Sequence, residues 1–211
     1  MSTPEIRRAT ADDLDDLFSI CLLTGASGED ATEFYDDPKL PGNIYAAPYI
    51  VSKLGLGFVA VDSEGVVGYV VGTPFTRSFE NECEEDWWPA LRVVNPDPGP
   101  DHDLDDWNAR LRSLIHRPRR TPAEMLADFP AHLHINILPR AQGQGVGKEL
   151  IAMMLGAFHV AGVRGAHLGV STANTRALGF YRRVGFRTLV ETDHTLMLGV
   201  RWTGELEDAE D

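Results

Sequence analysis

Hydrophobic residues along the chain fall into stretches of distinct period. Leu14, Leu17, Phe18, Cys21 and Leu22 recur every three or four residues, Thr10 and Asp13 form a capping-box start before them, and Gly25 closes the run. The pattern predicts an amphipathic helix after a short strand at residues 6–9. Residues 57–61 and 66–73 are β-rich and flank Asp62, Ser63, Glu64 and Gly65, which predicts an antiparallel hairpin. His132 to Leu138 has strand character, ended by Pro139. Val146, Leu150, Met154 and Phe158 then repeat every four residues up to Gly162, a second amphipathic helix. A strand at 166–171, a helix at 174–184 and a terminal strand pair at 186–191 and 195–200 complete the pattern.

Between these elements the signal is weaker. Residues 28–50 carry Asp36, Asp37, Pro38, Pro41 and Gly42 and are expected to be a loop that could act as a lid. Residues 79–92 are acidic and contain Trp87 and Trp88, residues 95–103 are a Pro/Gly/Asp loop, and Leu104, Trp107, Leu111, Leu114 and Ile115 predict a helix. A shorter helix is expected from Thr121, with Pro122 at its first position and Glu124 completing a capping box. The pattern fits one domain over residues 1–203, with an insertion at 76–130 and an acidic disordered tail at 204–211.

Composition narrows the function. With 43% hydrophobic residues in 211, the chain can bury a full core. No run approaches the roughly 18 apolar residues that span a bilayer, and the N-terminus lacks a signal-peptide core, so a soluble cytoplasmic protein is expected. A net charge of -13 argues against nucleic-acid binding and would favour a cationic partner such as an amine, although solubility alone also accounts for it. Cys21 and Cys83 are too few for a disulfide framework, and no metal site is expected because His132 and His134 lack a third ligand.

The segment with the clearest chemistry is Leu138-Pro139-Arg140-Ala141-Gln142-Gly143-Gln144-Gly145-Val146-Gly147-Lys148, which joins a strand to a helix through alternate glycines. Bare backbone N–H groups and the positive end of a helix suit such a turn to a phosphate or pyrophosphate. It is not a P-loop, because Gly147-Lys148 is followed by Glu149.

This turn resembles the R/Q-x-x-G-x-G/A signature of the GCN5-related N-acetyltransferases, with Gln142, Gly145 and Gly147 in the fixed positions. Asn174-Thr175-Arg176-Ala177-Leu178-Gly179-Phe180-Tyr181-Arg182-Arg183-Val184-Gly185-Phe186 is similar to the later motif of the same family. The Trp87-Trp88-Pro89 segment, the long insertion and the run from Pro130 to Gly143 further resemble the acetyltransferase-like domain of O-GlcNAc hydrolases and related bacterial acetyltransferases.

The resemblance implies an α/β fold with a mixed, mostly antiparallel sheet of about seven strands, flanked by helices and splayed between two central parallel strands. It implies acetyl-CoA held by Ile137, Leu138, Gln142, Gly143, Gln144, Gly145, Val146, Gly147, Lys148 and Asn174, with the backbone N–H of Ile137 reaching the acetyl or pantetheine end. Tyr181 would be the acid that protonates the leaving thiolate. The alternatives are that Asn174 serves as a helix N-cap, a job compatible with the first, and that Tyr181 is a packed aromatic, the less favoured reading because two motifs agree.

On the acceptor side the residues speak less clearly. His132, His134 and Asn136 alternate and share one strand face, which suggests a wet cleft. His134 is the first candidate for a base or water-organising group, and His132 and Asn136 for substrate contacts. Trp87 and Trp88 form either an aromatic wall for a cationic amine or the packed end of a helix. Arg117, Arg119 and Arg120 either meet the ribose phosphate or form a solvated patch. The expected function is direct acetyl transfer to a primary amine of a small molecule or peptide, by a monomer or homodimer. The alternative is an acyl-CoA-binding or protein-interaction module without catalysis.

Overall fold

The computed structural model describes residues 4–202; the acidic tail expected at 204–211 lies outside the described residues. Seven strands form one sheet in the order β1-β2-β3-β4-β5-β7-β6. They are β1 (Glu5–Arg8), β2 (Leu56–Asp62), β3 (Gly65–Thr73), β4 (Ala131–Ile137), β5 (Gly165–Ser171), β6 (Arg187–Glu191) and β7 (Thr195–Arg201). Every pairing is antiparallel except β4 with β5. The expected seven-stranded α/β architecture is the one observed, and among the described residues no helix is long and apolar enough to cross a membrane.

Alternation along the strands builds a core on each face. On one face, Phe58, Val67, Val70 and Leu133 pack under helix α8 (Val146–Val160), whose Val146, Leu150, Ile151, Met154 and Phe158 are all buried. The four-residue repeat read in the sequence is this contact stripe. On the opposite face, Val59, Tyr69 and Val71 lie against Leu17, Ile20 and Cys21 of α1 (Leu14–Leu23). Burying each such aliphatic or aromatic side chain contributes about 1.5–3 kcal/mol.

The supposed loop at 28–50 contains two short helices, α2 (Leu40–Tyr45) and α3 (Ala47–Val51), each with a proline in its first turn. The prolines start helices here because the first-turn N–H has no intrahelical acceptor to lose. The insertion folds as α4 (Thr76–Glu82), a π turn (Cys83–Trp87), α5 (Trp88–Val94), α6 (Trp107–His116) and α7 (Ala123–Asp128). The capping box expected at Thr121 does not form. Thr121 instead donates its N–H to Glu80 Oε1 at 2.8 Å, and α7 begins after Pro122.

One feature of the sheet decides where chemistry can occur. β4 and β5 pair only at Ala131–Ala166 and His132–His167, and beyond that the strands diverge. Phe129 pins the closed end: its carbonyl lies 2.8 Å from His167 Nδ1, and its ring occupies space that a side chain at Gly165 or Gly199 would fill. Nothing comparable ties residues 133–137 to β5. The sheet is therefore open on the C-terminal side of β4, next to the start of α8.

Candidate active site

The strand end, the glycine turn and α8 build one wall of this opening. Leu138 donates to Val67 O at 2.8 Å. Because antiparallel pairs alternate, the N–H groups of Asn136 and His134 also face β3, and those of Ile135 and Ile137 face the gap. Ile137 thus aims its N–H into the gap. Leu138, expected to help hold the cofactor, has its N–H committed to β3, while its carbonyl accepts from Ala141 N–H and keeps one lone pair.

After the strand, Gln142 donates from Nε2 to Ile137 O at 2.7 Å and Gln144 from Nε2 to Arg140 O at 2.7 Å, which ties the turn back to the strand end. Gly143 and Gly145 adopt φ of 77° and 87°, and a Cβ at either would meet nothing within 4 Å. Both turn their open side outward. Gly147 is different: a Cβ there would lie 3.1 Å from Ile137 Cδ1 and 3.2 Å from the Phe180 ring, so its hydrogen allows α8 to start close to β4.

The N–H groups of Gly143, Gln144, Gly145, Val146 and Gly147 have no acceptor among the described residues, and the first return bonds are from Lys148 and Glu149 to Gly145 O. Five adjacent donors at the positive end of a 15-residue helix, with the Lys148 side chain exposed beside them, fit a pyrophosphate.

The other wall is α9 (Thr175–Arg183). Asn174 caps it, its Oδ1 accepting from Ala177 N at 3.0 Å, and its Nδ2 has no partner among the described residues. The side chain can therefore cap with one end and donate into the gap with the other. Tyr181 packs with Phe180 and Phe186 at ring centroid distances of 5.4 and 5.6 Å, and its hydroxyl has no partner among the described residues. Burial raises its pKa, so the hydroxyl stays protonated at neutral pH and is available as a donor or acid.

On the opposite face of the sheet, the row His132, His134 and Asn136 is resolved into distinct roles. Both ring nitrogens of His132 lie 2.7 Å from hydroxyls, Nε2 from Tyr49 and Nδ1 from Thr76. A neutral imidazole accepts from one and donates to the other, leaving nothing for a substrate. Asn136 is likewise taken up: its Oδ1 accepts from Tyr69 at 3.1 Å and its Nδ2 donates to Thr24 Oγ1 at 2.6 Å. The expected substrate contacts at His132 and Asn136 are thus braces for the pocket wall.

His134 has no hydrogen bond among the described residues and lies edge-on between Tyr45 and Tyr49 at 5.4 and 5.5 Å. Burial and the neighbouring His167 push its pKa down to about 4. It is neutral at physiological pH and accepts a hydrogen bond readily, but it holds a proton poorly.

Trp87 and Trp88 do not form a wall. Trp88 is buried in the core beside α1, and the Trp87 indole donates to Asn43 O at 2.9 Å. Arg117 pairs with Asp97 at 2.7 Å and Arg120 with Asn81 and Glu80, on the face away from α8, which places neither beside the glycine turn. Tyr45, Tyr49 and Thr76, which surround His132 and His134, fall within residues 28–50 and 75–125, the stretches the sequence offered for the acceptor without naming these side chains as contacts of the histidines.

His132, His134 and His167 all have lowered pKa values, with burial the leading cause. As pH falls from about 6.5 towards 4, the unfolded chain binds protons before the folded one does, so their contribution to stability is complete above 6.5 and is lost through that window. The melting temperature should be at least ~5 °C lower at pH 5 than at pH 7, and His134→Gln should reduce that difference. Equal melting temperatures would contradict the protonation states described.

A strand pair that opens beside an unclaimed helix N-terminus gives this sheet a gap with an anion-binding turn at its edge. A family model for the acetyltransferase (GNAT) domain matches residues 119–188. A solved structure of the protein SsHAT is 35% identical, with a TM-score of 0.86, and the match covers 95% of this chain and 98% of that one. The PaiA N-acetyltransferase of Thermoplasma acidophilum, solved in complex with coenzyme A, is 16% identical with a TM-score of 0.55 over 96% of this chain and all of the other, a likeness of fold. Protein O-GlcNAcase of Rattus norvegicus is 27% identical over 152 residues, 72% of this chain but 17% of that protein, and the match to the Mus musculus protein has the same figures. The chain thus spans about a sixth of the length of these curated relatives. The chain belongs to the GCN5-related N-acetyltransferase superfamily and is, by family, an acetyl-CoA-dependent acyltransferase.

Proposed function

We propose that this protein transfers an acetyl group from acetyl-CoA directly to a primary amine presented from the face lined by Tyr45, Tyr49 and His134. The observation that carries this reading is the gap between β4 and β5, which joins five unclaimed N–H donors on one side of the sheet to a half-buried histidine on the other. Acetyl-CoA supplies an activated acyl carbonyl and a thiolate leaving group.

The N–H groups of residues 143–147 hold the pyrophosphate, and Asn174 Nδ2 donates to the pantetheine arm. Ile137 N–H stabilises negative charge on the acyl oxygen, the largest single contribution a preorganised donor can make. Tyr181 donates its proton to the departing sulfur. The amine must lose a proton, and an imidazole with a pKa of about 4 does not store it. His134 instead orients the amine or a water that passes the proton outward, which favours the water-organising role over that of a general base.

Neither cysteine serves as a nucleophile: Cys21 and Cys83 are buried, and burial raises their pKa to about 11 and about 12. The transfer is therefore direct. Calorimetric titration with acetyl-CoA should give saturable binding, and free-thiol release should rise above the hydrolysis rate when amines are added. Binding without amine-stimulated thiol release would favour an acyl-CoA-binding module, and no binding would overturn both readings.

A further inference from the structure

A small hairpin reaches across the open end of the split sheet, on the α1 face opposite α8. After α1, Ala26 and Glu29 exchange both backbone hydrogen bonds, at 3.0 and 3.1 Å, around a tip formed by Ser27 and Gly28. Both tip residues have positive φ, 56° and 100°, as the tightest hairpin turn requires. Glycine takes that backbone freely. Ser27 is strained in it, and it is the one non-glycine residue at positive φ among the described residues.

The base of the hairpin is fixed to β4. Thr24 is buried; its Oγ1 donates to Ile20 O at 2.7 Å and accepts from Asn136 Nδ2 at 2.6 Å, and Asn136 is held in turn by Tyr69. Gly25 and Ala31 both donate to Leu22 O, and Gly28 donates to Thr24 O at 3.0 Å. The tip meets the other side of the gap. A Cβ on Gly28 would lie 3.8 Å from Asn174 Nδ2 and within 4 Å of nothing else. Asn174 sits between β5 and α9, so the hairpin spans from one strand to the far side of the other where β4 and β5 carry no ladder. Burial does not hold the tip there. Ser27 is exposed, and neither its N–H nor its hydroxyl has a partner among the described residues.

We propose that this hairpin belongs to the cofactor site, and that Ser27 and Gly28 cover the pantetheine arm of acetyl-CoA on the face opposite α8. The inference rests on the acetyl-transfer reading, which runs that arm past Asn174 Nδ2. The arm carries amide carbonyls, which are acceptors for a backbone N–H or a hydroxyl. Donors on a turn that its base already fixes cost little further ordering when they are used. Gly28 has a separate part: with no side chain, it leaves the Asn174 amide open to the arm beneath the tip.

Coenzyme A is compared with 3′-phosphoadenosine 5′-diphosphate, which keeps the nucleotide and pyrophosphate but lacks the arm. Coenzyme A should slow solvent exchange of the Ser27 amide, followed by NMR, by about tenfold or more, and the nucleotide should leave it within about twofold. In calorimetry Gly28→Asn should weaken coenzyme A by about tenfold or more and the nucleotide by less than about twofold. Asparagine accepts positive φ better than most residues but fills the space in front of Asn174, and thermal unfolding checks that the variant is folded. Exchange slowed alike by both ligands, or by neither, overturns the proposal in the wild-type protein, whatever the variant does. Unchanged coenzyme A affinity in folded Gly28→Asn overturns it as well. If coenzyme A alone protects Ser27 but no amine is acetylated, this inference stands and the transfer reading fails.

Discussion

Gly145→Asp should weaken acetyl-CoA binding by at least ~100-fold, or about 2.7 kcal/mol, with little loss of fold stability. Gly145 is the N-cap of α8 at φ 87°, and no atom lies within 4 Å of where its Cβ would be. Aspartate tolerates left-handed backbone better than most residues and is a favourable N-cap, so the helix loses little. The carboxylate, however, would sit among the donors of residues 143–147 and compete as an anion for the N–H groups the pyrophosphate needs. Gly145→Ala separates charge from backbone strain: it carries the φ penalty of about 1–2 kcal/mol without the anion. Calorimetry with acetyl-CoA and thermal unfolding of both variants give the comparison. Wild-type affinity in the aspartate variant would remove the turn from the cofactor site.

That prediction rests on residues whose local geometry was legible in the sequence. A glycine-rich strand-to-helix turn has strict local geometry, because positive φ and bare N–H groups leave few residue choices, so sequence reports it directly. The long helix and the hairpin were equally legible, since their burial patterns have the periods of their own elements. Other features were hidden for definite reasons. Pro41 read as a loop residue, yet it begins α2, and Pro48 begins α3 in the same way; these helices carry Tyr45 and Tyr49.

His132 and Asn136 share the face of His134 on β4, and alternation could not tell a free ring from a braced one. The partners that decide it, Tyr49, Thr76, Tyr69 and Thr24, come from four separate elements.

Tyr181→Phe should lower kcat by about 10²-fold or more while acetyl-CoA affinity stays within about twofold, the signature of an interaction made only in the transition state. The ring is held between Phe180 and Phe186, and phenylalanine keeps that packing, so stability should change little. What disappears is one proton donor. Because burial holds the hydroxyl protonated well beyond neutral pH, wild-type kcat should show no loss of this acid up to pH 10, the ordinary tyrosine value. A thioester with a more acidic thiol needs less help in leaving, so the variant's deficit should shrink with such a substrate. A deficit confined to KM, or one insensitive to the leaving group, would make Tyr181 a packing residue and send the thiolate's proton to water.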